Sequence, residues 1–224
     1  MSRRERELDV RQYAPRRRLQ TIFEVFDQLA AGEVLRLSDS HDPKLLLFRL
    51  ERARPRTFDW AVLQAGPAVH RIAIRRRAGH GPRDVMEYLN WEHHRLDALV
   101  QATLTSAGRG QLPEARTRFA EFACGITRHM EMEERLLLPR LHRLGPAPRE
   151  LGRVLAEHGD VRRLTGAISR ALGAELAFFL DALRELEEML LLHDMREERL
   201  LYPLIERAAR GGERDALVLR MQAV

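Results

Sequence analysis

Apolar residues follow two different rhythms along this chain. Up to residue 77, short β-like runs alternate with helical ones. Residues 7–11 read as a strand. Residues 17–31 carry Leu19, Ile22, Phe23, Phe26 and Leu29 at helical spacing until Gly32 ends the pattern. Residues 33–37 alternate as a second strand, and 38–43 form a turn that starts a helix, with Pro43 in its first turn and Leu45, Leu46, Leu47 and Leu50 following. Residues 58–63 and 68–74 complete the set as two strands joined by a Gln-Ala-Gly-Pro turn. The order βαβαββ predicts an α+β domain, a two-layer sandwich.

Beyond residue 77 the period changes to that of helices throughout. A stretch rich in breakers, 78–83, reads as a linker between a small α/β domain (1–77) and a helical domain (84–224). Four amphipathic segments are predicted at 84–106, 113–144, 148–171 and 174–209, with breaks at 107–113, at 145–148 and near Gly173. Such short connections make successive helices antiparallel neighbours, an all-α up-down four-helix bundle.

The apolar stripes of this bundle contain ionisable residues. The first segment centres His93 between Leu89 and Leu96; the third centres His158 between Val154 and Val161. The second carries His129 and Glu133, and the fourth His193 and Glu197, in each case one helical turn apart on the buried face. The second and fourth segments repeat His-x-x-x-Glu-Glu-Arg-Leu-Leu-x-Pro at an offset of 64, and Glu92-His93 recurs as Glu157-His158 at 65. Residues level with one another on antiparallel neighbours have their sequence midpoint in the connecting turn. The midpoint is residue 111 for His93 and His129, 145 for Glu133 and His158, and 175 for His158 and His193, each in or beside a predicted break. The six side chains are therefore expected at one depth of the bundle.

An unpaired carboxylate in a core costs several kcal/mol, and two that face each other cost more or take up protons. Cations remove the difficulty. Four neutral imidazoles and two carboxylates suit two metal ions with the glutamates as bridges. These nitrogen and oxygen donors favour iron or manganese, and zinc accepts them as well. Glu134 and Glu198 repeat too and read as supporting groups or surface ion pairs rather than ligands. His94, a helical step of about 100° from His93, is expected at the surface. Cys124 falls off the stripe.

Composition adds bounds. The chain has 224 residues and a net charge of +5, and Lys44 is its only lysine. Carboxylates interleave with the arginines and no recognition motif is present, so the basic runs read as solvated helix faces and nucleic acid is not an expected partner. No apolar run reaches membrane-span length, no secretory h-region follows the charged start, and a single cysteine excludes an internal disulfide. A cytoplasmic protein is expected, with no membrane association.

The motifs of residues 84–209 resemble the hemerythrin-like HHE cation-binding family: Glu92-His93-His94-Arg95-Leu96-Asp97, His129-x-x-x-Glu133-Glu134-x-x-x-x-Pro139, Glu157-His158, and His193-x-x-x-Glu197-Glu198-x-x-Leu201-Tyr202-Pro203. The resemblance implies a non-haem di-iron centre, with His93, His129, Glu133, His158, His193 and Glu197 as metal ligands. Oxygen-carrying hemerythrins have a further histidine where this chain has Arg162, and end in a histidine with an aspartate five later, where this chain has His193 and Glu197. The four-histidine, two-glutamate pattern is similar to proteins linked with nitric oxide response, iron-sulfur repair and iron or oxygen sensing. The N-terminal part resembles a small uncharacterised bacterial domain with a sulfur-carrier-like α/β fold, through Leu8-Asp-Val-Arg11, Ile22-Phe23, Gly32-Glu33, His41-Asp42-Pro43, Phe58-x-Trp60 and Gly66-Pro67. It lacks the cysteine that sulfur carriers place near the first strand.

These features support two expectations. The chain binds or senses O2 or NO at two iron ions, the N-terminal domain serving to reach a protein partner. Alternatively it is a redox or repair protein that handles nitric oxide, peroxide or iron for iron-sulfur cluster repair.

Overall fold

A computed structural model describes residues 5–79, 83–145, 148–171, 176–209 and 212–224. The chain divides into two compact units, Met1–Arg83 and Asp84–Val224. Among the described residues no helix is long and apolar enough to cross a membrane.

The first unit contains β1 (Glu5–Asp9), α1 (Pro15–Asp27), β2 (Val34–Asp39), α2 (Lys44–Ala53), β3 (Phe58–Gln64) and β4 (His70–Arg76). The sheet order is β1-β2-β4-β3; β1 lies parallel to β2 and the other pairings are antiparallel. Ile22, Phe26 and Leu29 of the α1 region and Leu47 and Leu50 of α2 bury against Leu8, Leu35, Leu37, Phe58, Ile72 and Ile74 of the sheet, the two layers the pattern predicts. The first strand ends two residues earlier than its apolar alternation suggests. Asp9 takes the Arg11 backbone N–H at 3.0 Å and its guanidinium Nε at 2.9 Å, and that local bond turns Val10–Gln12 into a short 3-10 turn. Asp42 accepts the Lys44 N–H at 2.9 Å, a local turn just before α2, whose N-cap position is Pro43. Residues 80–82 of the expected linker lie outside the described residues, but the Arg83 side chain is buried, 2.7 Å from Glu51 and 3.4 Å from Asp59 of the sheet unit.

The second unit is all-helical. Its four long helices are α3 (Val85–Gly108), α4 (Leu112–Met132), α6 (Pro148–Ala171) and α7 (Leu176–Arg196). α3 packs on α4 and α7, and α6 on α7 and α4. Asp84 caps α3 through the Glu87 N–H at 2.9 Å, and Gly110, at φ 74°, turns the chain from α3 into α4 where the depth argument requires a turn. Gly145, at φ 88°, ends the second segment; the break near Gly173 lies outside the described residues.

Two features escape a reading at constant helical pitch. Glu133–Leu137 and Glu197–Leu201, both Glu-Glu-Arg-Leu-Leu, form π-helical turns, after which the helices continue as α5 (Leu138–Leu144) and α8 (Tyr202–Ala208). In each the ladder bond skips one residue, Leu138 N–H to the Glu133 carbonyl and Tyr202 N–H to the Glu197 carbonyl. Pro139 and Pro203 supply the cause. Each lacks an N–H, and its ring would collide with the carbonyl four residues back. An added helix, α9 (Gly212–Gln222), buries Leu217, Val218 and Met221.

α3 and α4 approach closely at Gly125, where an added Cβ would lie 2.8 Å from Leu96 Cδ2 and 3.0 Å from the Arg95 guanidinium. Because Leu96 is itself buried and cannot swing out, Gly125→Ala is expected to destabilise the bundle by roughly 1–3 kcal/mol, the cost of overpacking. A lowered urea midpoint at unchanged slope checks this.

Candidate metal centre

All six ionisable residues of the apolar stripes meet. His93 comes from α3, His129 from α4, Glu133 from the first π turn, His158 from α6, His193 from α7 and Glu197 from the second π turn. None is more than 2% exposed. They form two groups, His93, His129, Glu133 and Glu197 on one side, and Glu133, His158, His193 and Glu197 on the other; within each, the ligand atoms lie within 4.8 Å of one another. Both glutamates belong to both groups. Glu133 offers one oxygen to each half: Oε1 is 3.4 Å from His129 Nε2, and Oε2 is 3.3 Å from His158 Nε2. Glu197 Oε2 lies between the halves, 3.6 Å from His93 Nε2 and 3.3 Å from His193 Nε2.

The imidazoles turn Nε2 inward, and three of them hold Nδ1 on an outer carboxylate. Glu198 is 2.9 Å from His93 Nδ1, Glu134 is 2.8 Å from His158 Nδ1, and Glu157 is 3.2 Å from His193 Nδ1. Such partners fix the tautomer that leaves Nε2 free to ligate and make it a better donor. The second glutamate of each repeat thus serves a histidine on a different helix. Arginines hold these carboxylates in turn: Arg162 lies 2.8 Å from Glu134, and Arg153 and Arg196 both pair with Glu157. Arg162, standing where oxygen carriers have a histidine, therefore anchors the group that orients His158. Glu92, which precedes His93 as Glu157 precedes His158, is clamped instead by Arg95 at 3.1 Å and by Arg128. His94 is exposed and Cys124 half-buried, both outside the two groups.

The electrostatics are those of a site built for cations. Burial opposes charge on His93, His158, Glu133 and Glu197, and their neighbours in the centre resist it. Desolvation alone would lower the pKa of His158, yet Glu133, Glu197 and Glu134 raise it to about 10. His93 is likewise pushed up, Glu197 and Glu198 overcoming its burial. Glu133 would rise on burial but is held well below the usual carboxylate range by His129 and His158. Buried atoms still lack partners: among the described residues, Nε2 of His158, Nε2 of His193 and Oε2 of Glu133 have no hydrogen bond. Buried ligand atoms that converge without hydrogen bonds fit metal ions of nitrogen and oxygen preference.

One residue of the centre carries no ligand spacing in the sequence. The Tyr202 ring is buried beside His93, with centroids 5.5 Å apart, and its hydroxyl donates to Glu133 Oε1 at 2.5 Å and Glu197 Oε2 at 2.8 Å. Burial and these two carboxylates keep its phenol protonated well above the ordinary range. At about 100° per residue, position 202 should point roughly 140° away from Glu197. The π turn closes that angle. The signal available in the sequence was the break in the repeat, where Tyr202 stands at the place of Leu138.

A helical bundle that gathers buried histidines and glutamates from all its long helices defines a metal-binding class of protein. The comparison with family models agrees: the hemerythrin HHE cation binding domain matches residues 84–205 and 150–223, and the chain belongs to that family. Residues 7–76 match the family described as an uncharacterized conserved protein, DUF2249. No curated protein matches the chain significantly.

Two measurements check this arrangement. Removing an outer carboxylate, Glu134→Ala or Glu198→Ala, is expected to weaken metal binding about 10–100-fold while the fold persists, read by competition with a chromophoric chelator. In the metal-free protein the raised pKa of His158 contributes stability in full below about 6.5, and that contribution is lost as pH climbs through about 10. Its melting temperature should therefore fall across that window. Metal uptake, which needs the neutral imidazole, should release protons and tighten with rising pH over the same range.

Proposed function

We propose that the helical domain holds two iron ions and uses them to bind or sense a small diatomic molecule, O2 or NO. The observation that carries this reading is the sharing of both glutamates by two histidine pairs. One cation would leave half of the donors unused, whereas two would be held by His93 with His129 and by His158 with His193, with Glu133 and Glu197 available to both. Bound iron would supply an Fe(II)/Fe(III) couple and open coordination positions, since six donors do not saturate two ions. The protein's part is to keep the four Nε2 atoms neutral and aimed inward, to offset cation charge with two carboxylates, and to exclude water through burial. The outer ring of Glu134, Glu157 and Glu198 holds three of the imidazoles in orientation through their Nδ1 atoms. The matched N-terminal module would then carry the state of the centre to a partner protein.

Loading purified protein with Fe(II) under anaerobic conditions is expected to give two iron ions per chain, and His158→Ala at most one. Exposure to NO or O2 should change the absorption spectrum without continued consumption of the gas. Sustained turnover of NO or peroxide would instead favour the redox or repair reading, and a chain that retains no metal would remove both.

A further inference from the structure

The two halves of the centre are not equivalent, and the difference lies in one side chain. The repeat that generates the site superposes His129 on His193, Glu133 on Glu197, Glu134 on Glu198 and Pro139 on Pro203, but Leu138 on Tyr202. Both residues occupy the same backbone position, closing a π turn through an N–H to the carbonyl of the centre's glutamate. Only the second brings an oxygen. That oxygen lies 2.5 Å from Glu133 Oε1, 2.8 Å from Glu197 Oε2 and 2.9 Å from His93 Nε2; all three residues belong to the first group of donors, and His93 belongs to that group alone. Donors about 2.1 Å from a common cation and at right angles are roughly 3 Å apart, so these separations suit neighbours in one coordination sphere.

Resting on the di-iron reading above, we propose that Tyr202 is a seventh protein ligand, its phenolate oxygen completing the His93–His129 position when iron there is ferric. On ligation the O–H bond breaks and the oxygen's electron pair forms the bond to the metal; the proton leaves to solvent and no electron is transferred. In the metal-free site the phenol serves as hydrogen-bond donor to the two carboxylates. A cation among the same atoms reverses the local field and favours the anionic oxygen, and iron accepts tyrosinate as a ligand elsewhere. The consequence is a division of labour. The His93–His129 position carries five protein donors and is nearly closed. The His158–His193 position has Leu138 at the matching place of the repeat, keeps four donors, and is where a diatomic enters.

The test uses the full chain loaded with two iron ions and oxidised with ferricyanide. A ferric tyrosinate gives a charge-transfer band in the visible region, and resonance Raman excitation within it enhances tyrosine ring modes that shift in protein made with ring-deuterated tyrosine. Wild type is expected to show both signatures, and Tyr202→Phe to lose both while retaining two iron ions per chain. Where Tyr202→Phe fails to fold or to load, Tyr13→Phe and Tyr88→Phe replace it, because retention of the band in both assigns it to the one remaining tyrosine. Two bound iron ions without tyrosinate modes, or modes that persist in Tyr202→Phe, overturn the ligand assignment and leave the di-iron reading intact. Absence of iron from the wild-type protein overturns both.

Discussion

Two carboxylates in the dry middle of a helical bundle set the terms for the rest of this protein. Glu133 and Glu197 are each 1% exposed, a placement that would cost several kcal/mol apiece if nothing answered their charge. Four imidazoles surround them, and the interaction is mutual: the carboxylates favour the protonated forms of His93 and His158, while neighbouring histidines keep the carboxylates ionised. Protons are a partial solution, since inward-facing nitrogens and an oxygen keep ion-pair contacts of 3.3 Å but make no hydrogen bond. Cations satisfy all of these atoms together. Family membership and geometry thus meet at one physical requirement.

The second level of organisation is a ring of carboxylates behind the histidines. Glu198, Glu134 and Glu157 each hold an Nδ1, and arginines back two of the three. This ring links helices pairwise: α3 to the second π turn, α6 to the first, and α7 to α6. The centre therefore ties the bundle together through hydrogen bonds between helices. It also explains why the repeat preserves Glu-Glu rather than a single glutamate. The first residue serves the centre and the second serves a histidine across the interface.

The π turns make both roles compatible on one helix. A regular helix could present His129 and Glu133 on one face, but could not also absorb Pro139 without an unpaired carbonyl and a clash. One inserted residue relieves the proline and rotates the next helical turn, which brings Tyr202 back toward Glu197. π-helical turns occur often at functional sites, and here the reason is local: proline spacing and site geometry are resolved by the same distortion.

Much of this was legible in the amino-acid order. The change of hydrophobic period divided the chain into an α/β part and a helical part. The four histidines and two glutamates stood out because ionisable residues on an apolar stripe need a reason, and their midpoints fell in breaks because antiparallel packing is a rigid rule. Arg162, Glu157 and Tyr202 were not legible in the same way. Each acts across helices or after a π turn, where sequence separation no longer measures distance and 100° per residue no longer gives direction. The first strand likewise stopped early because Asp9 bonded to its own neighbour. By itself the sequence determined which side chains had to be buried and at what depth, since periodicity and burial are properties of one helix at a time. Only the tertiary structure decided which carboxylate holds which imidazole and which half of the centre receives a phenol, because those pairings depend on rotations about helix axes that no linear pattern records.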